Sequence, residues 1–475
     1  MGKGRIEMQS RAIAMTEEIA AFVVGSRPED FPDEVKGLAK RCIQDGVGVI
    51  LAGSGEPCTR LVREYVLSME GKRESTVLGK EKVRVPLRLA ALVNGVAGHA
   101  MDWDDTAISK TPERGVLLHP TVPPLAAGLA AGEKLGVSGR DLLTGFLVGV
   151  EVECKLAEAI SADHRIRGFH TSGTCGIFGA AVAVSKLMKL SVDQVRSVLG
   201  MASSMAAGLD VNLGTMVKPF HVGRAAENGV LCGQLAALGF EANREALEGH
   251  KGFFQAFGGT FDPDRIHGKL GHPMAIVEPG VTIKPYPCGV VGHSTMEAMR
   301  ILAVEHDLKP EGIDRIKVTT GSNILPPKGP LKYGKAQTAL QAKFSVPFQM
   351  ASMILRRRAG MMEFTDEFVQ NPAVQAMMDR VETSVNPEYD AFGKNRYVSV
   401  IEVHLKDGRV LQGRSPEHLP GSPRNPLSPR ALAEKFKDCT QAVFPADRAE
   451  RLLETIDRLD QLGDIRSLID LIGPD

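Results

Sequence analysis

GFHTSGTCGIFGAAVAVSKLMKL, at residues 168–190, and GLDVNLGTMVKPFHVGRAAENGVLCGQLAALGF, at residues 208–240, are the stretches that decide how this chain folds. Gly and Ala recur along both of them. Small residues let helix backbones approach closely, so this pattern predicts tightly packed helices rather than a sheet. The same stretches place His170, Lys218 and His221 among the small residues. We therefore expect them to form the floor of a site for a small, negatively charged molecule.

The length and the charge balance limit the classes of protein to which this chain can belong. A chain of 475 residues exceeds what one simple core holds, which predicts two or more domains. Lys plus Arg and Asp plus Glu both number 57, so the formal net charge is zero. Proteins that bind nucleic acid concentrate positive charge, and this balance argues against such a partner. It also gives no support for a membrane surface, so any attraction for an anion must be local.

The cysteines are scattered and form no metal or redox motif. There are seven of them, and no CxxC pair, HExxH, EF-hand loop or GxxxxGK[ST] occurs in the sequence. An odd, scattered set is typical of free thiols in a reducing cytoplasm. The first residues contain no apolar signal core, and no apolar run reaches the roughly 20 residues of a membrane span. The sequence thus predicts a soluble, cytoplasmic protein.

Helical periodicity dominates the first part of the chain, and residues 1–75 are expected to be helical. Apolar residues recur at helical spacing in the stretches 11–31, 34–53, 59–70, 87–106, 117–136 and 141–160.

Strand patterns begin around Pro279. Residues 280–289 predict a strand and a turn, and residues 313–323 predict a second strand. Residues 397–418 form the clearest hairpin, with its turn at Asp407-Gly408.

The predicted fold class is mainly α, with a large all-helical domain and a smaller α+β domain. We expect residues 1–270 to form the first part of the helical domain and residues 271–420 to form the α+β domain. Residues 421–475 are expected to return to the helical domain as C-terminal helices.

An acidic cluster ends the predicted helix of residues 87–106. On a helix, Asp102 and Thr106 would share a face because they are four residues apart. Asp102 follows an apolar face, so its carboxylate is expected to be buried and to need a partner, for which a histidine is the first candidate. Asp104 and Asp105 are each as well explained by a structural role, in which they cap a helix or turn the loop, as by a functional one.

Histidines and lysines outside this cluster also have two interpretations each. His119 heads the segment HPTVPP, where it is either functional or a capping histidine. His170 lies in a Gly/Ser/Thr-rich turn before a helix, whose free N–H groups suit an anion, but it can also be a satisfied core histidine. Lys218 interrupts a glycine-rich loop, which favours function. Lys284 stands in a similar context, which likewise favours function. His221 is explained by packing as well as by function.

Several stretches occur together in an order that resembles the MmgE/PrpD family, which includes 2-methylcitrate dehydratase, cis-aconitate decarboxylase and iminodisuccinate epimerase. Each stretch alone has little specificity. The ordered set is specific for the family, although not for one activity within it. The stretches are NGVAGHAMDWDDT (94–106), HPTVPP (119–124), GFHTSGTCGIFGAA (168–181), GTMVKPFHVGRAAENG (214–229), KPYPCG (284–289), KFSVPF (343–348) and NPLSPRALAEKF (425–436).

The resemblance implies a large all-helical domain built from both ends of the chain, a smaller α+β lid, and a cleft between them. It also implies a homodimer and no metal, iron–sulfur or organic cofactor. By motif position, it implies catalytic roles for Asp102, His119, His170 and Lys218. Substrate-binding roles are expected in the same motifs for Thr106, Thr171, His221, Lys284 and Cys288.

One departure from the family pattern concerns the proton donor. Where some members have a tyrosine in the lid motif, this sequence has Phe348. A hydroxyl acid is missing at that position, and Tyr286 or Tyr333 is the candidate replacement.

The family's substrates are small di- or tricarboxylates, and the residue types fit that chemistry. Lysines neutralise carboxylates, and a histidine is a natural proton shuttle near neutral pH. We expect a cofactor-independent lyase that removes a proton beside a carboxylate, most simply a 2-methylcitrate dehydratase-like hydro-lyase. Epimerisation and cis-aconitate-type decarboxylation are the alternatives on the same site. From another class, the chain can be a non-catalytic binder of carboxylates.

Overall fold

The structure, a computed structural model, describes residues 15–81, 83–108, 117–392 and 396–472. It is 56% helical with 10% strand, and the strands form several sheets. None of the helices in these ranges combines the length and the hydropathy that crossing a bilayer requires.

Helices account for most of the first part of the chain, as the apolar periodicity predicts. They are α1 (Met15–Gly25), α2 (Asp33–Gly53), α3 (Pro57–Leu67), α4 (Leu87–Ala100), α5 (Val122–Leu135), α6 (Gly139–Ala159), α7 (Asp163–Ile166), α8 (Thr171–Thr174), α9 (Gly176–Leu187), α10 (Val192–Met205), α11 (Val217–Ala237) and α12 (Phe253–Gly258).

Helices α4 and α11 pack against each other in antiparallel directions. A Cβ atom at Gly95 would lie 2.8 Å from the Cα atom of Gly223, so only glycine allows the two backbones to come this close. Arg88 at the start of α4 pairs with Glu227 farther along α11. The crossing therefore brings the C-terminal end of α4 beside the N-terminal end of α11. The prediction that small residues mark tightly packed helices is confirmed at this contact.

Helix α9 packs against α5, α6 and α11. A Cβ atom at Gly149 of α6 would lie 2.7 Å from the carbonyl oxygen of Gly179 of α9, which is a second close approach of two backbones. The stretch 168–190 therefore lies in the middle of the helical layers.

The strands form sheets of two, three and four members. They are β1 (Ser75–Val77), β2 (Val83–Val85), β3 (Thr106–Ile108), β4 (Leu117–Leu118), β5 (Val281–Thr282), β6 (Ile313–Thr320), β7 (Val381–Val385), β8 (Ser399–Leu405) and β9 (Val410–Arg414).

The prediction of an all-helical domain with a small lid is wrong. Strands β1 to β4 lie within the region expected to be helical, and β5 pairs with β3 across the expected boundary at residue 270. These strands contain two or three residues each, which is too short for the alternation that marks a strand in a sequence. The chain is a mixed α/β protein, while the domain boundaries at residues 270 and 420 remain a prediction.

The four-stranded sheet has the order β7-β6-β8-β9. Strands β8 and β9 pair in antiparallel register, as predicted for the hairpin, and β6 confirms the second predicted strand. Helix α13 packs on β8 and β9. The helices after residue 290 are α13 (His293–Glu305), α14 (Ala339–Ala342), α15 (Val346–Arg356), α16 (Asp366–Val369), α17 (Pro372–Met378), α18 (Pro429–Thr440), α19 (Ala446–Asp457) and α20 (Arg466–Ile472).

The C-terminal helices pack against helices near the start of the chain. Helix α18 lies against α2, where a Cβ atom at Gly48 would be 3.1 Å from the ring of Phe436. This contact places the side chains of α18 directly behind the segment that follows α4.

Candidate active site

The segment after α4 carries the acidic cluster, and its backbone leaves the helix there. Helix α4 ends at Ala100, and Asp102 has a positive φ of 53°. A non-glycine residue in this conformation is uncommon and is often found where a side chain must be aimed. Thr106 is already in strand β3. The expectation that Asp102 and Thr106 share a helix face is therefore wrong, since no helix continues between them.

Asp102 lies between two buried lysines. Its Oδ1 atom is 2.8 Å from Nζ of Lys218 and 2.7 Å from Nζ of Lys284. Burial by itself would raise the pKa of Asp102, but Lys218 and Lys284 outweigh it and hold this pKa well below the usual value. Burial lowers the pKa of Lys218, while Asp102 opposes that change. The partner of Asp102 is thus a pair of cations and not the histidine expected from the sequence.

Lys218 is the second residue of α11 and is 7% exposed. The expectation that it interrupts a loop is wrong. Pro219 follows it, and proline is tolerated in the first turn of a helix because no helical hydrogen bond is lost there. The Gly- and Pro-containing sequence that looks like a loop is the beginning of a helix of 21 residues.

Three lysines hold the carbonyl groups that follow α4. Nζ of Lys343 donates to the carbonyl oxygen of Ala100 at 3.0 Å, and Nζ of Lys284 donates to that of Asp102 at 2.8 Å. Nζ of Lys435 donates to the carbonyl oxygen of Trp103 at 2.9 Å. Cations at a helix C-terminus donate hydrogen bonds to its free carbonyl groups and interact favourably with the helix dipole. The unusual backbone at Asp102 is therefore fixed by Lys284, which follows β5, by Lys343, which lies between α14 and α15, and by Lys435 of α18.

Asp104 organises a group of buried histidines. Its Oδ2 atom accepts a hydrogen bond from Nδ1 of His99 at 2.7 Å. Nδ1 of His119 is 3.2 Å from the same oxygen, but the geometry of this contact is not that of a hydrogen bond. Burial would raise the pKa of Asp104, yet His119 and His99 hold it well below the usual value. Burial lowers the pKa of His99 to about 3 and lowers that of His119, so both rings are neutral near pH 7.

One ring nitrogen each of His99 and His119 and one carboxylate oxygen of Asp104 lie within 4.8 Å of one another, as the ligands of a metal ion would. Two ligands of one tetrahedral zinc, each at about 2.0–2.1 Å from it, are roughly 3.3 Å apart. The distance of 2.7 Å between His99 and Asp104 is shorter and has the length of a hydrogen bond. The arrangement therefore favours hydrogen bonding over metal ligation.

His170 lies next to this group and beside His221. The rings of His99 and His170 stack with centroids 5.8 Å apart. Nδ1 of His170 is 3.1 Å from Nδ1 of His221, so one ring donates and the other accepts. Burial, with His99 and Lys218 next in importance, holds the pKa of His170 well below its usual value. His170 is therefore neutral near pH 7, with one ring nitrogen free of a proton.

One cavity is lined by several of these groups. Of the predicted site residues, it contains Asp102, His119, His170, Thr171, Lys218 and Lys284. Its other lining residues are Leu117, Arg165, Phe169, Asp210, Leu213, Gly289, Val290, Val291, Pro330 and Phe344.

Other predicted residues lie outside the cavity lining. Thr106 is buried in β3, and its hydroxyl has no partner among the described residues. Cys288 is buried with its Sγ atom 3.5 Å from Sδ of Met296. His221 reaches the cavity only through His170.

The aromatic residues considered as acids also lie elsewhere. Phe348 is fully buried and packs against Phe364, which makes it a core residue. The hydroxyl group of Tyr286 donates to Oε2 of Glu297 at 2.9 Å, and Tyr333 does not line the cavity. The acid is therefore to be sought among the histidines and lysines.

Sequence reasoning assigned no role to Arg165, Lys343 or Lys435, and it left Asp104 open between a functional role and a structural one in a cap or turn. Lys343 and Lys435 each stand inside a family stretch, KFSVPF and NPLSPRALAEKF, as a charged residue beside buried phenylalanines. For Lys435, a lysine at a position that helical periodicity buries was the available indication, whereas Lys343 lies between two helices and had none. Arg165 lies in an exposed segment that had no distinguishing pattern.

Comparisons with known proteins agree with this architecture. Residues 17–266 match the MmgE/PrpD N-terminal domain, and residues 286–461 match the MmgE/PrpD C-terminal domain. Cis-aconitate decarboxylase of Homo sapiens is 30% identical over 467 residues, covering 97% of this chain and 95% of the human protein. The Mus musculus protein of the same name is 29% identical over 97% of this chain and 94% of its own length.

A fungal relative extends the similarity. Cis-aconitate decarboxylase of Aspergillus terreus is 26% identical over 492 residues, covering 97% of this chain and 96% of the fungal protein. The similarity thus spans both matched domains rather than one motif. The resemblance drawn from the ordered stretches is confirmed, and this chain belongs to the MmgE/PrpD family.

Proposed function

We propose that this protein is a lyase for small polycarboxylates and that its reaction is the decarboxylation of a cis-aconitate-like tricarboxylate. The observation that carries the proposal is the pair Lys218 and Lys284, held on Asp102 in the same cavity as His170. The relatives named as cis-aconitate decarboxylases match almost the whole chain. They favour decarboxylation over the dehydration that we expected first from the sequence.

The lysines are suited to binding carboxylates while they remain paired. An ammonium group has three N–H donors. Lys284 directs two of them at Asp102, and Lys218 directs one. The remaining donors can meet substrate carboxylates without breaking the pairs. Asp102 thereby keeps both cations in place before the substrate arrives, which avoids reorganisation during the reaction.

The proposed step breaks the bond between a substrate carbon and its departing carboxylate, which leaves as CO2. The electron pair of that bond forms a new double bond to the neighbouring carbon, and the pair of the existing double bond moves to its far carbon and the carboxylate there, where Lys218 and Lys284 stabilise the developing charge. One proton then adds to carbon. His170 is the proposed donor, after taking up a proton in the substrate complex, and His221 supports it through their shared contact.

An activity assay tests this proposal. Purified protein is incubated in D2O with cis-aconitate, 2-methylcitrate, citrate or iminodisuccinate, and CO2 release and deuterium incorporation are followed. We expect CO2 from cis-aconitate and one deuterium on carbon in the product. Release of water from 2-methylcitrate would assign the protein to the dehydratases, and exchange of an α-hydrogen without net loss would assign it to the epimerases. Binding without turnover of any of them would indicate a carboxylate-binding protein.

A further inference from the structure

The charged groups in the inner part of the cavity, together with Asp104 beside the lining residue His119, balance each other. Asp102 is ion-paired with Lys218 and Lys284, and Asp104 is hydrogen-bonded to neutral His99. Two carboxylates thus face two ammonium groups, and the sum is zero. A substrate with three carboxylates brings three negative charges into this space, and burying unpaired charge is costly. The inner groups alone leave at least part of that charge without a partner.

Arg165 is a further cation at the outer part of the same cavity. It belongs to α7, is exposed, and lines the cavity together with Asp102 and Asp210. Within the described ranges, its guanidinium group makes no ion pair. A guanidinium group binds a carboxylate through two parallel hydrogen bonds, so Arg165 is chemically suited to an incoming anion.

The surrounding backbone holds Arg165 near the opening. Phe169 and Leu209 form a β-bridge, and the backbone N–H of Asp210 donates to the carbonyl oxygen of Gly168 at 2.7 Å. This bridge ties the segment that follows α7 to the segment that precedes α11. Both Arg165 and Asp210 line the cavity. Burial raises the pKa of Asp210, and the charge of Arg165 opposes that change.

We propose that Arg165 binds the outermost carboxylate of the substrate and thereby makes the cavity selective for tricarboxylates over dicarboxylates. This inference rests on the proposed function, because it assumes that Lys218 and Lys284 bind the inner carboxylates. Arg165 acts on binding and not on the proton transfer, since His170 lies deeper in the cavity and is 7% exposed.

Two inert ligands separate the third carboxylate from the rest of the molecule. Propane-1,2,3-tricarboxylate and pentanedioate share one carbon chain and differ by the central carboxylate. Their affinities are measured by titration calorimetry with the wild type, Arg165→Gln and Arg167→Gln. Arg167 is the matched control because it is an exposed arginine of the same segment that does not line the cavity.

We expect Arg165→Gln to lower the affinity ratio of tricarboxylate to dicarboxylate on the order of tenfold, which corresponds to one charge-assisted contact. Arg167→Gln should leave the ratio unchanged, and Arg165→Lys should restore part of it. Melting temperatures should stay the same because both arginines are exposed.

Two results would overturn the proposal in different ways. If the wild type binds both ligands and Arg165→Gln leaves their ratio unchanged, or weakens both equally, Arg165 has no selective role while the polycarboxylate site stands. If the wild type binds neither ligand, the proposed function is wrong and the role of Arg165 falls with it.

Discussion

Lys284 donates from its Nζ atom to both the backbone carbonyl oxygen and the Oδ1 atom of Asp102, at 2.8 and 2.7 Å. The two residues are 182 positions apart in the chain. One ammonium group therefore neutralises the carboxylate and also fixes the positive-φ backbone that aims it. A change at Lys284 would disturb charge and geometry together, so Lys218, which contacts the carboxylate alone, is the better residue for testing the charge.

The first prediction is that Lys218→Met loses activity beyond any loss of stability. The substitution removes a cation from the cavity but leaves Asp102 paired with Lys284. We expect kcat/KM to fall about 10²–10³-fold, as for the loss of one charge-stabilising group.

Lys155→Met is the matched control, because Lys155 is a buried lysine that pairs with Glu151 and lies outside the cavity lining. It should lower the melting temperature and leave kcat/KM of the folded protein unchanged. Activity of Lys218→Met that falls only in step with its melting temperature would contradict the assignment.

The second prediction separates His170 from His221. His170 lines the cavity, whereas His221 contacts it only through the ring of His170. His170→Gln should therefore lower kcat by about 10²–10⁴-fold, as expected for the loss of proton transfer. His221→Gln should have a smaller effect on kcat. Steady-state kinetics of both variants, with melting temperatures measured alongside, check this. Equal losses in the two variants would show that the pair acts as one unit.

The third prediction concerns Lys435 as a positioning residue. Lys435 contacts the carbonyl oxygen of Trp103 and pairs with buried Asp45, and it does not line the catalytic cavity. Lys435→Met should lower kcat with little change in KM, because it loosens the segment that carries Asp102. Lys437→Met, at an exposed lysine of the same helix, should change neither constant. A change in KM alone for Lys435→Met would argue for a direct contact with substrate.

The fourth prediction is a pH dependence of stability that originates at Asp105. Burial is the main cause that raises the pKa of Asp105 from 3.8 to about 8, while Thr121 holds both carboxyl oxygens. Between these values the folded chain keeps a proton that the unfolded chain has lost. This contribution to stability therefore decreases as pH rises from about 4 to 8, by about 1.4 kcal/mol per pH unit.

Asp105→Asn imitates the protonated acid and removes this dependence. The melting temperature of the variant minus that of the wild type should increase from pH 6 to pH 8 and then level off. Asp314→Asn, at an exposed aspartate, provides the control and should give a constant difference. A difference for Asp105→Asn that does not vary with pH would mean that Asp105 is ionised in the folded protein.

The fifth prediction is that activity does not depend on a metal ion. The contact of 2.7 Å between His99 and Asp104 has the length of a hydrogen bond, and the proposed step uses side chains alone. Dialysis against EDTA should leave kcat unchanged. Loss of activity that one added metal restores would contradict this prediction and make His99, Asp104 and His119 the first candidates for its ligands.

Several parts of the fold were within reach of the sequence because they depend on local chemistry. The hairpin of β8 and β9 follows from alternation and from the turn at Asp407-Gly408. The close contact of Gly95 with Gly223 follows from the abundance of small residues on long apolar helices. Strands of two or three residues, such as β3, could not be predicted, because they exist only through pairing with β4 and β5, which lie elsewhere in the chain.

The candidate site divides in the same way. The sequence alone determined the family, the helical stretches around residues 168–240, and the set of side chains able to handle a small anion. Only the tertiary structure decided that Asp102 leaves the helix and lies between Lys218 and Lys284, and that Asp104 holds His99. The physical reason is that a buried charge is stable only beside its counterion, and the counterions of Asp102 are brought to it by helix packing and by a distant segment.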